Sequence, residues 1–183
     1  KIDLLTRQNK TLEDLAQAYF RKWFIEDASD EWEEIPLGNL FSISSGKGLK
    51  QNQFDEYGLY RVLGANGEIG RTNKFLFDER LIFTGRVGTL GKVFIVEHEP
   101  VWLSDNTLVF RNIKYFYYVY FILKMINLAD YNVGSTQPLL RQADIKELKI
   151  IFPKNIQIVE QFENHSEILF KKIRENDKQI SIL

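Results

Sequence analysis

The stretch IFTGRVGTLGKVFIVEHEPVWLSDNTLVF, residues 82–110, decides the fold of this chain. Apolar runs rich in Val, Ile, Leu and Phe lie at 81–83, 93–96 and 107–110, and glycines, a charged turn with a proline and a polar tripeptide separate them. Short β-branched and aromatic runs between such breakers are typical of β-strands joined by turns. The stretch therefore predicts the core of a β-rich domain.

The glycines of this stretch fall at positions 85, 88 and 91, three residues apart. The dinucleotide-binding fingerprint is spaced differently, G-x-G-x-x-G, so we interpret these glycines as tight turns or points of close backbone approach. The upstream Gly46-Lys47-Gly48 lacks the Walker pattern, and we expect a flexible basic loop there. Neither segment predicts a nucleotide site.

The segments on either side extend the β-rich domain. Further strands are predicted at residues 32–45, 60–63 and 149–152. Residues 64–71 are interpreted as a turn-rich loop around Asn66-Gly67, and 144–148 as one helical turn.

The run at 113–128 is the most apolar part of the chain. Lys114 and Lys124 bracket only nine residues of it, whereas a membrane span needs about 20 apolar residues. A helix that is apolar nearly all round belongs in a core, so this run predicts a helix buried under the β-strands.

Composition limits the class of protein. The chain has 183 residues, 44% of them apolar, which is ample for one domain with a buried core. It has no cysteine, which excludes disulfides and thiolate chemistry. The net charge is −1, but residues 46–92 hold eight Lys and Arg against five Asp and Glu, a local +3. Local positive potential of this kind is what a phosphate-binding surface needs.

Both ends of the chain carry heptad seams. The first seam contains Ile2, Leu5, Asn9, Leu12, Ala16, Tyr19 and Trp23. The second contains Val159, Phe162, Ser166, Leu169, Ile173, Asn176, Ile180 and Leu183. Alternating spacings of three and four residues predict long helices that pair through these seams, either with each other in antiparallel orientation or with another chain. A plain amphipathic surface helix remains the alternative for the first segment.

Several motifs in a fixed order resemble the specificity subunit of type I restriction–modification systems. They are LLTRQNKTLEDLAQAYFRKWF (4–24), WEEIPLG (32–38), GRVGTLGKVF (85–94), SDNTLVF (104–110), GSTQPLL (134–140), KELKIIFP (146–153) and IVEQFENHSEILFKKI (158–173). Such subunits carry two target-recognition domains, each followed by a conserved helix. The resemblance implies a central conserved helix at 1–27, one target-recognition domain at 28–153 and the C-terminal coiled-coil helix at 154–183. It therefore implies a C-terminal fragment or a natural half-subunit.

The resemblance implies an α+β fold, with a β-rich recognition domain, a buried helix and two long heptad helices in an antiparallel coiled coil. It also implies sequence-specific reading of one half of a bipartite target in double-stranded DNA, for adenine methylation and defence against foreign DNA. We expect no catalytic residue, metal or cofactor in the chain itself. The expected partners are methyltransferase subunits, which would bind S-adenosylmethionine, and a restriction and translocase subunit, which would use ATP and Mg²⁺. A prokaryotic cytoplasmic location without membrane contact is expected, and a homodimer through the heptad helices stays open.

Loop residues are the candidates for reading DNA. Arg and Lys suit guanine edges and phosphates, and Asn and Gln suit adenine. The predicted DNA-binding residues are Lys47, Lys50, Asn66, Arg71, Arg86, Ser135, Thr136 and Gln137. The predicted seam for helix pairing or partner docking is Leu5, Asn9, Leu12, Tyr19, Val159, Phe162, Leu169 and Ile173. Each loop residue has a structural alternative, such as an internal salt bridge for Arg86, and the competing function is a coiled-coil scaffold that does not read DNA.

Overall fold

The computed structural model describes all residues of the chain, 1–183. The fold is α+β, as predicted. The helices are α1 (Ile2–Arg21), α2 (Phe116–Met125), α3 (Gln142–Glu147) and α4 (Ile156–Ile182). The strands are β1 (Glu33–Pro36), β2 (Ser42–Ser45), β3 (Tyr60–Gly64), β4 (Gly67–Thr72), β5 (Leu81–Gly85), β6 (Val93–Val96), β7 (Val101–Leu103), β8 (Thr107–Arg111) and β9 (Lys149–Phe152). The chain forms two compact units, a helical unit (1–34, 115–121 and 151–183) and a β-rich unit (35–114 and 122–150).

The β-rich unit contains a four-stranded sheet in the order β2-β8-β5-β6 and a three-stranded sheet in the order β4-β3-β7. All pairs of the first sheet are antiparallel, with Ile82 opposite both Phe110 and Ile95. In the second sheet β3 pairs antiparallel with β4 and parallel with β7. The strands predicted from the three apolar runs of residues 81–110 are confirmed as β5, β6 and β8.

One hydrophobic cluster joins residues from both sheets. Leu63 and Leu103 come from the three-stranded sheet, and Leu81, Phe83 and Val109 come from the four-stranded one. Every residue of β5 is buried, because β5 lies between two strands and both of its faces are covered. Strands buried on both faces appear as continuous apolar runs, which is why the sequence shows β5 so clearly.

Two sequence predictions for this unit were wrong in detail. Residues 32–45 form two strands, β1 and β2, which are separated by a 3₁₀ turn at Leu37–Asn39. The first strand ends at Pro36, because proline has no N–H to donate to a neighbouring strand. The N–H of the next residue, Leu37, donates to the carbonyl of Leu148 at 2.7 Å. Residues 64–71 are not a loop throughout, since β4 begins at Gly67. As an edge strand with exposed Glu68 and Ile69, β4 lacks the apolar alternation that signals a strand.

In the helical unit, α1 and α4 lie against each other. The side-chain amide of Asn176 donates to the Asn9 Oδ1 at 2.8 Å, near one end of the pair. At the other end the Trp23 ring lies 6.2 Å from the Phe162 ring. Contacts between the start of one helix and the end of the other make the orientation antiparallel. The predicted seam residues Leu5, Val159 and Phe162 are buried, and Asn9, Leu12, Tyr19, Leu169 and Ile173 are partly exposed.

The predicted buried helix is confirmed as α2. Its first half, however, packs in the core of the helical unit, whereas the sequence predicted that it would pack under the β-strands. Residues 116–121 belong to the helical unit, where the Tyr117 ring stacks on Phe170 at 4.6 Å and the Phe121 ring on Phe20 at 5.7 Å. Aromatic rings on α1 and α4 are the partners of this segment within the helical unit. No helix of the chain has the length and apolarity that crossing a membrane requires.

Phe162 is the central ring of this helical core. It is fully buried and contacts the rings of Phe20, Phe24 and Phe121 at 5.2–6.0 Å. We expect Phe162→Ala to lower the free energy of unfolding by about 3–5 kcal/mol, because it leaves a cavity among rigid rings. Urea unfolding measures this, with Ile168→Ala on the exposed side of α4 as the control that changes little. An equal loss in both variants would contradict this assignment of the core.

Asp177 gives the helix pair a pH dependence. Burial raises the pKa of its carboxyl, although the Asn9 amide donates to Oδ1 at 2.7 Å. A folded pKa above the unfolded value means that the protonated form is favoured in the fold, and this contribution is lost as the pH rises through the folded pKa. Because Asp177 is largely exposed, water screens most of this effect, so we expect Asp177→Asn to raise the free energy of unfolding at pH 7 by at most about 0.5 kcal/mol.

The gain from Asp177→Asn should shrink below about pH 4, where the carboxyl is protonated in both states. Urea unfolding at pH 7 and pH 3 tests this, with Glu160→Gln on the exposed surface of α4 as the matched control. A gain that is the same at both pH values would contradict the role of burial.

Candidate nucleic-acid interface

Five connecting segments meet in the β-rich unit and form what we call the loop cluster. They are residues 46–48 after β2, the β3–β4 turn at 65–66, the β5–β6 connection at 86–92, the β7–β8 turn at 104–106 and the segment 132–141 before α3. The Lys47 N–H bonds to the Leu103 carbonyl at 2.8 Å, and the Arg86 N–H bonds to the Asn106 carbonyl at 2.7 Å. The segments thus form one surface held mainly by backbone hydrogen bonds.

The peptide of Arg86 is fixed on both sides. Its N–H donates to Asn106, and its carbonyl accepts from the Leu140 N–H at 3.0 Å. The next residue, Val87, forms an isolated antiparallel bridge with Leu139, and the Gly88 N–H donates to the Pro138 carbonyl at 3.1 Å. Through these bonds the β5–β6 connection joins the 104–106 turn to the 132–141 segment.

The Arg86 side chain is half-buried and has no acidic partner. The internal salt bridge that the sequence left open as an alternative for Arg86 is therefore not formed. Its Nε is buried and has no hydrogen-bond acceptor in the protein, and the two terminal nitrogens are not buried. A buried donor without an acceptor costs about 1–3 kcal/mol, so it calls for an explanation.

Hydrogen bonds to the Asn132 side chain hold the segment that contains Ser135, Thr136 and Gln137. The Asn132 Oδ1 accepts from the backbone N–H of Gly134 at 2.9 Å and of Leu139 at 2.8 Å. All three candidate side chains are exposed between these two anchor points. The order of this segment thus comes from Asn132, which sequence reasoning did not single out. The signal was an Asn two residues before a Gly, a spacing that suits a side-chain turn.

Asn66 and Lys47 also lie in the loop cluster. The Asn66 Nδ2 donates to the Thr89 Oγ1 at 3.0 Å, which ties the β3–β4 turn to the β5–β6 connection. The carbonyl of Lys47 accepts from the Trp102 Nε1 at 2.7 Å, and its side chain is exposed. The flexible loop expected around Lys47 therefore has a backbone fixed by hydrogen bonds, with a free side chain.

Lys50 and Arg71 do not take part in the contacts that join the loop cluster. Lys50 is exposed just before a short 3₁₀ turn at Gln51–Gln53. Arg71 lies on β4, donates to the Gly58 carbonyl at 3.2 Å and approaches Glu68 at 3.5 Å. Its guanidinium already has acceptors in the protein.

The positive charge predicted for residues 46–92 is partly neutralised. Arg61 pairs with Glu99 and Glu68, Arg71 with Glu68, and Arg80 with Glu97. The cations in this range without an acidic partner are Lys47, Lys50, Lys74, Arg86 and Lys92, of which Lys47, Arg86 and Lys92 lie in the loop cluster. The net positive charge therefore falls mainly on side chains that are free to bind an external anion.

The fold and the loop cluster define a β-rich domain that presents polar and basic loops, together with a helical unit built on two long helices. The family model of the type I restriction modification DNA specificity domain matches residues 29–180. The chain belongs to this family. No curated protein matches the sequence.

Solved structures share this fold. The S subunit of a type I restriction–modification system from M. genitalium is 20% identical, with a TM-score of 0.61 over 74% of this chain and 38% of that one. The HsdS subunit from Thermoanaerobacter tengcongensis is 11% identical, with a TM-score of 0.56 over 97% of this chain and 48% of its own. A chain in a structure that describes complex assembly and conformational transition of the type I R-M system is 14% identical, with a TM-score of 0.57 over 98% of this chain and 50% of that one. The chain thus spans half or less of the length of these subunits.

Gly46 tests how closely the loop cluster is packed. A Cβ at this position would lie 2.1 Å from the Ser104 carbonyl oxygen and 2.4 Å from that of Leu103. We expect Gly46→Ala to lower the free energy of unfolding by about 1–3 kcal/mol, because backbone atoms must move.

Gly48→Ala is the matched control for Gly46→Ala. Its Cβ would meet only the end of the Asp105 side chain, at 3.3 Å, so we expect a change within about 0.5 kcal/mol. Urea unfolding of both variants measures the difference. If Gly46→Ala is as stable as Gly48→Ala, the close approach of residues 46 and 104 is not present in solution.

Proposed function

We propose that this chain reads one half of a bipartite target in double-stranded DNA for a type I restriction–modification complex. The observation that carries the proposal is the loop cluster of a DNA specificity domain, in which Lys47, Asn66, Arg86 and residues 135–137 come together. Base edges in the major groove offer acceptors and donors that these side-chain types match. Lys50 would contribute through phosphate contacts beside the cluster, and Arg71 is the weakest of the predicted residues because Glu68 already pairs with it.

The helical unit would connect this chain to the other subunits of the complex. We propose that α1 and α4 form an antiparallel coiled coil, through the predicted seam, that docks methyltransferase subunits. The 27 residues of α4 correspond to about 40 Å of helix. One turn of DNA is about 34–36 Å, so a helix pair of this length suits two half-sites about one turn apart. The second half-site would be read by another recognition domain, or by a second copy of this chain in a homodimer.

The chain itself would be non-catalytic. Methyltransferase subunits would bind S-adenosylmethionine and flip the target adenine, and a restriction and translocase subunit would use ATP and Mg²⁺. The role left to this chain is to hold one DNA sequence in register. No group of three or more His, Asp or Glu side chains lies close enough to hold a metal ion.

A coiled-coil scaffold without DNA reading is the second candidate. The observation that favours it is the set of exposed apolar residues on the two long helices: Ile2, Leu4, Leu15, Ile168 and Ile182. A scaffold would assemble through the helices and bind DNA without sequence preference or not at all.

Adenine methylation in a host without other methyltransferases tests the proposed function. The full chain is co-expressed with its cognate methyltransferase subunit, and methylated adenines are mapped across the genome. We expect a single bipartite motif with a fixed spacer. Methylation without a motif, or a motif that persists when this chain is omitted, would refute the proposal.

Salt dependence separates the two candidates. Each phosphate contact contributes about −0.9 to the slope of log K against log [salt]. We expect Lys47→Ala in the same complex to reduce the magnitude of the slope by about one contact, whereas Lys149→Ala, an exposed lysine of β9, leaves it unchanged. Equal slopes in both variants would remove Lys47 from the interface, and a wild-type slope near zero would favour the scaffold.

A further inference from the structure

The arginines of the β-rich unit fall into two groups. Four of them pair with carboxylates: Arg61 with Glu99, Arg71 with Glu68, Arg80 with Glu97 and Arg111 with Glu79. Arg86 and Arg141 have no acidic partner. Arg141 is exposed, so water can solvate its charge, but Arg86 is half-buried. Arg86 is therefore the arginine in this unit whose charge is partly removed from water without compensation inside the protein.

The fold maintains Arg86 in this costly position. Its peptide is held by the Asn106 carbonyl and the Leu140 N–H, and the preceding Gly85 approaches so closely that a Cβ there would lie 1.9 Å from the Thr89 carbonyl oxygen. The Nε of Arg86 is buried without an acceptor, while the two terminal nitrogens are not buried. The base of the guanidinium is thus enclosed by the protein, and its two terminal nitrogens, which form a fork, are left for an external partner.

We propose that Arg86 determines specificity by reading a guanine of the target half-site through its guanidinium fork, an inference that rests on the proposed function. A guanine offers two acceptors, O6 and N7, that match the fork, and this is the commonest specific arginine contact with DNA. A phosphate also offers two acceptors to the fork, both of them oxygens. The burial of the Arg86 Nε favours the guanine, because it restricts the directions from which the fork can be approached, whereas an exposed cation such as Lys47 can meet a phosphate from many directions.

Neighbouring groups support a polar reading surface around Arg86. The Asn66 side chain donates to Thr89, three residues after Arg86. On the other side, the segment held by Asn132 contains Leu140, whose N–H donates to the Arg86 carbonyl. Because these contacts fix the backbone on both sides, replacing the Arg86 side chain removes a reader without removing the bonds that build the loop cluster.

The test uses the full chain in complex with its cognate methyltransferase subunit. Wild-type, Arg86→Ala, Arg86→Lys and Lys149→Ala complexes each select from a pool of randomised DNA duplexes, and the bound sequences are determined. Thermal unfolding of each variant confirms that it is folded. Arg86→Lys keeps the charge and the aliphatic stem but not the fork, so it stays informative if the alanine variant is unstable.

We expect Arg86→Ala to lose the preference for guanine at one position of the half-site, by roughly 5- to 150-fold, and to keep the preference at all other positions. Arg86→Lys should lose part of the same preference, and Lys149→Ala, on β9 outside the loop cluster, should select the wild-type motif. If Arg86→Ala weakens binding to all sequences alike, with a shallower salt slope, the contact is to a phosphate and guanine reading is wrong. An unchanged motif and affinity would also overturn the inference. A wild-type complex that selects no motif would instead refute the proposed function.

Discussion

The hydrogen bonds around the peptide of Arg86 are the constraint on which the loop cluster depends. They join the 104–106 turn on one side to the 132–141 segment on the other. Loops that connect antiparallel strands are usually mobile, because few contacts cross between them. Here backbone hydrogen bonds restrict the motion of the loops, so the backbone positions that carry side chains such as Asn66 and Gln137 are fixed. The loop sequence can change while the bonds stay, because backbone groups and not side chains make most of them.

In the helical unit too, polar groups fix the position of neighbouring segments, because asparagine side chains lie between the apolar residues of the seam. The Asn176 Nδ2 donates to both Asn9 and Gln8, but its Oδ1 is buried without a partner. An apolar pair at this layer would be more stable, yet it would also permit shifted registers. The asparagines therefore trade stability for a defined alignment of α1 and α4.

The parts of the fold that the sequence predicts well are those where burial imposes a pattern. Strand β5 is covered on both faces and reads as an apolar run, and α4 shows its seam over its whole length. Strand β4 is exposed at an edge and carries Glu68 and Arg71, so nothing in its pattern distinguishes it from a loop. The first half of α2 is apolar enough to be placed in a core, but apolarity alone does not say which core. That choice depends on the rings of Phe20 and Phe170, which are distant in sequence.

The loop residues pose a different difficulty, because side-chain type predicts chemistry but not availability. Arg71 and Arg86 look equivalent in the sequence, as basic residues beside glycines. The structure separates them, since Glu68 approaches Arg71 and no carboxylate approaches Arg86. Arg86 moreover lies within the glycine-rich stretch that decides the fold. Its backbone is held by hydrogen bonds to the neighbouring loops, whereas its guanidinium has no hydrogen-bond partner in the protein. One position therefore joins the loops and leaves a charged group without an internal partner, a combination that neither the residue type nor the neighbouring glycines could predict.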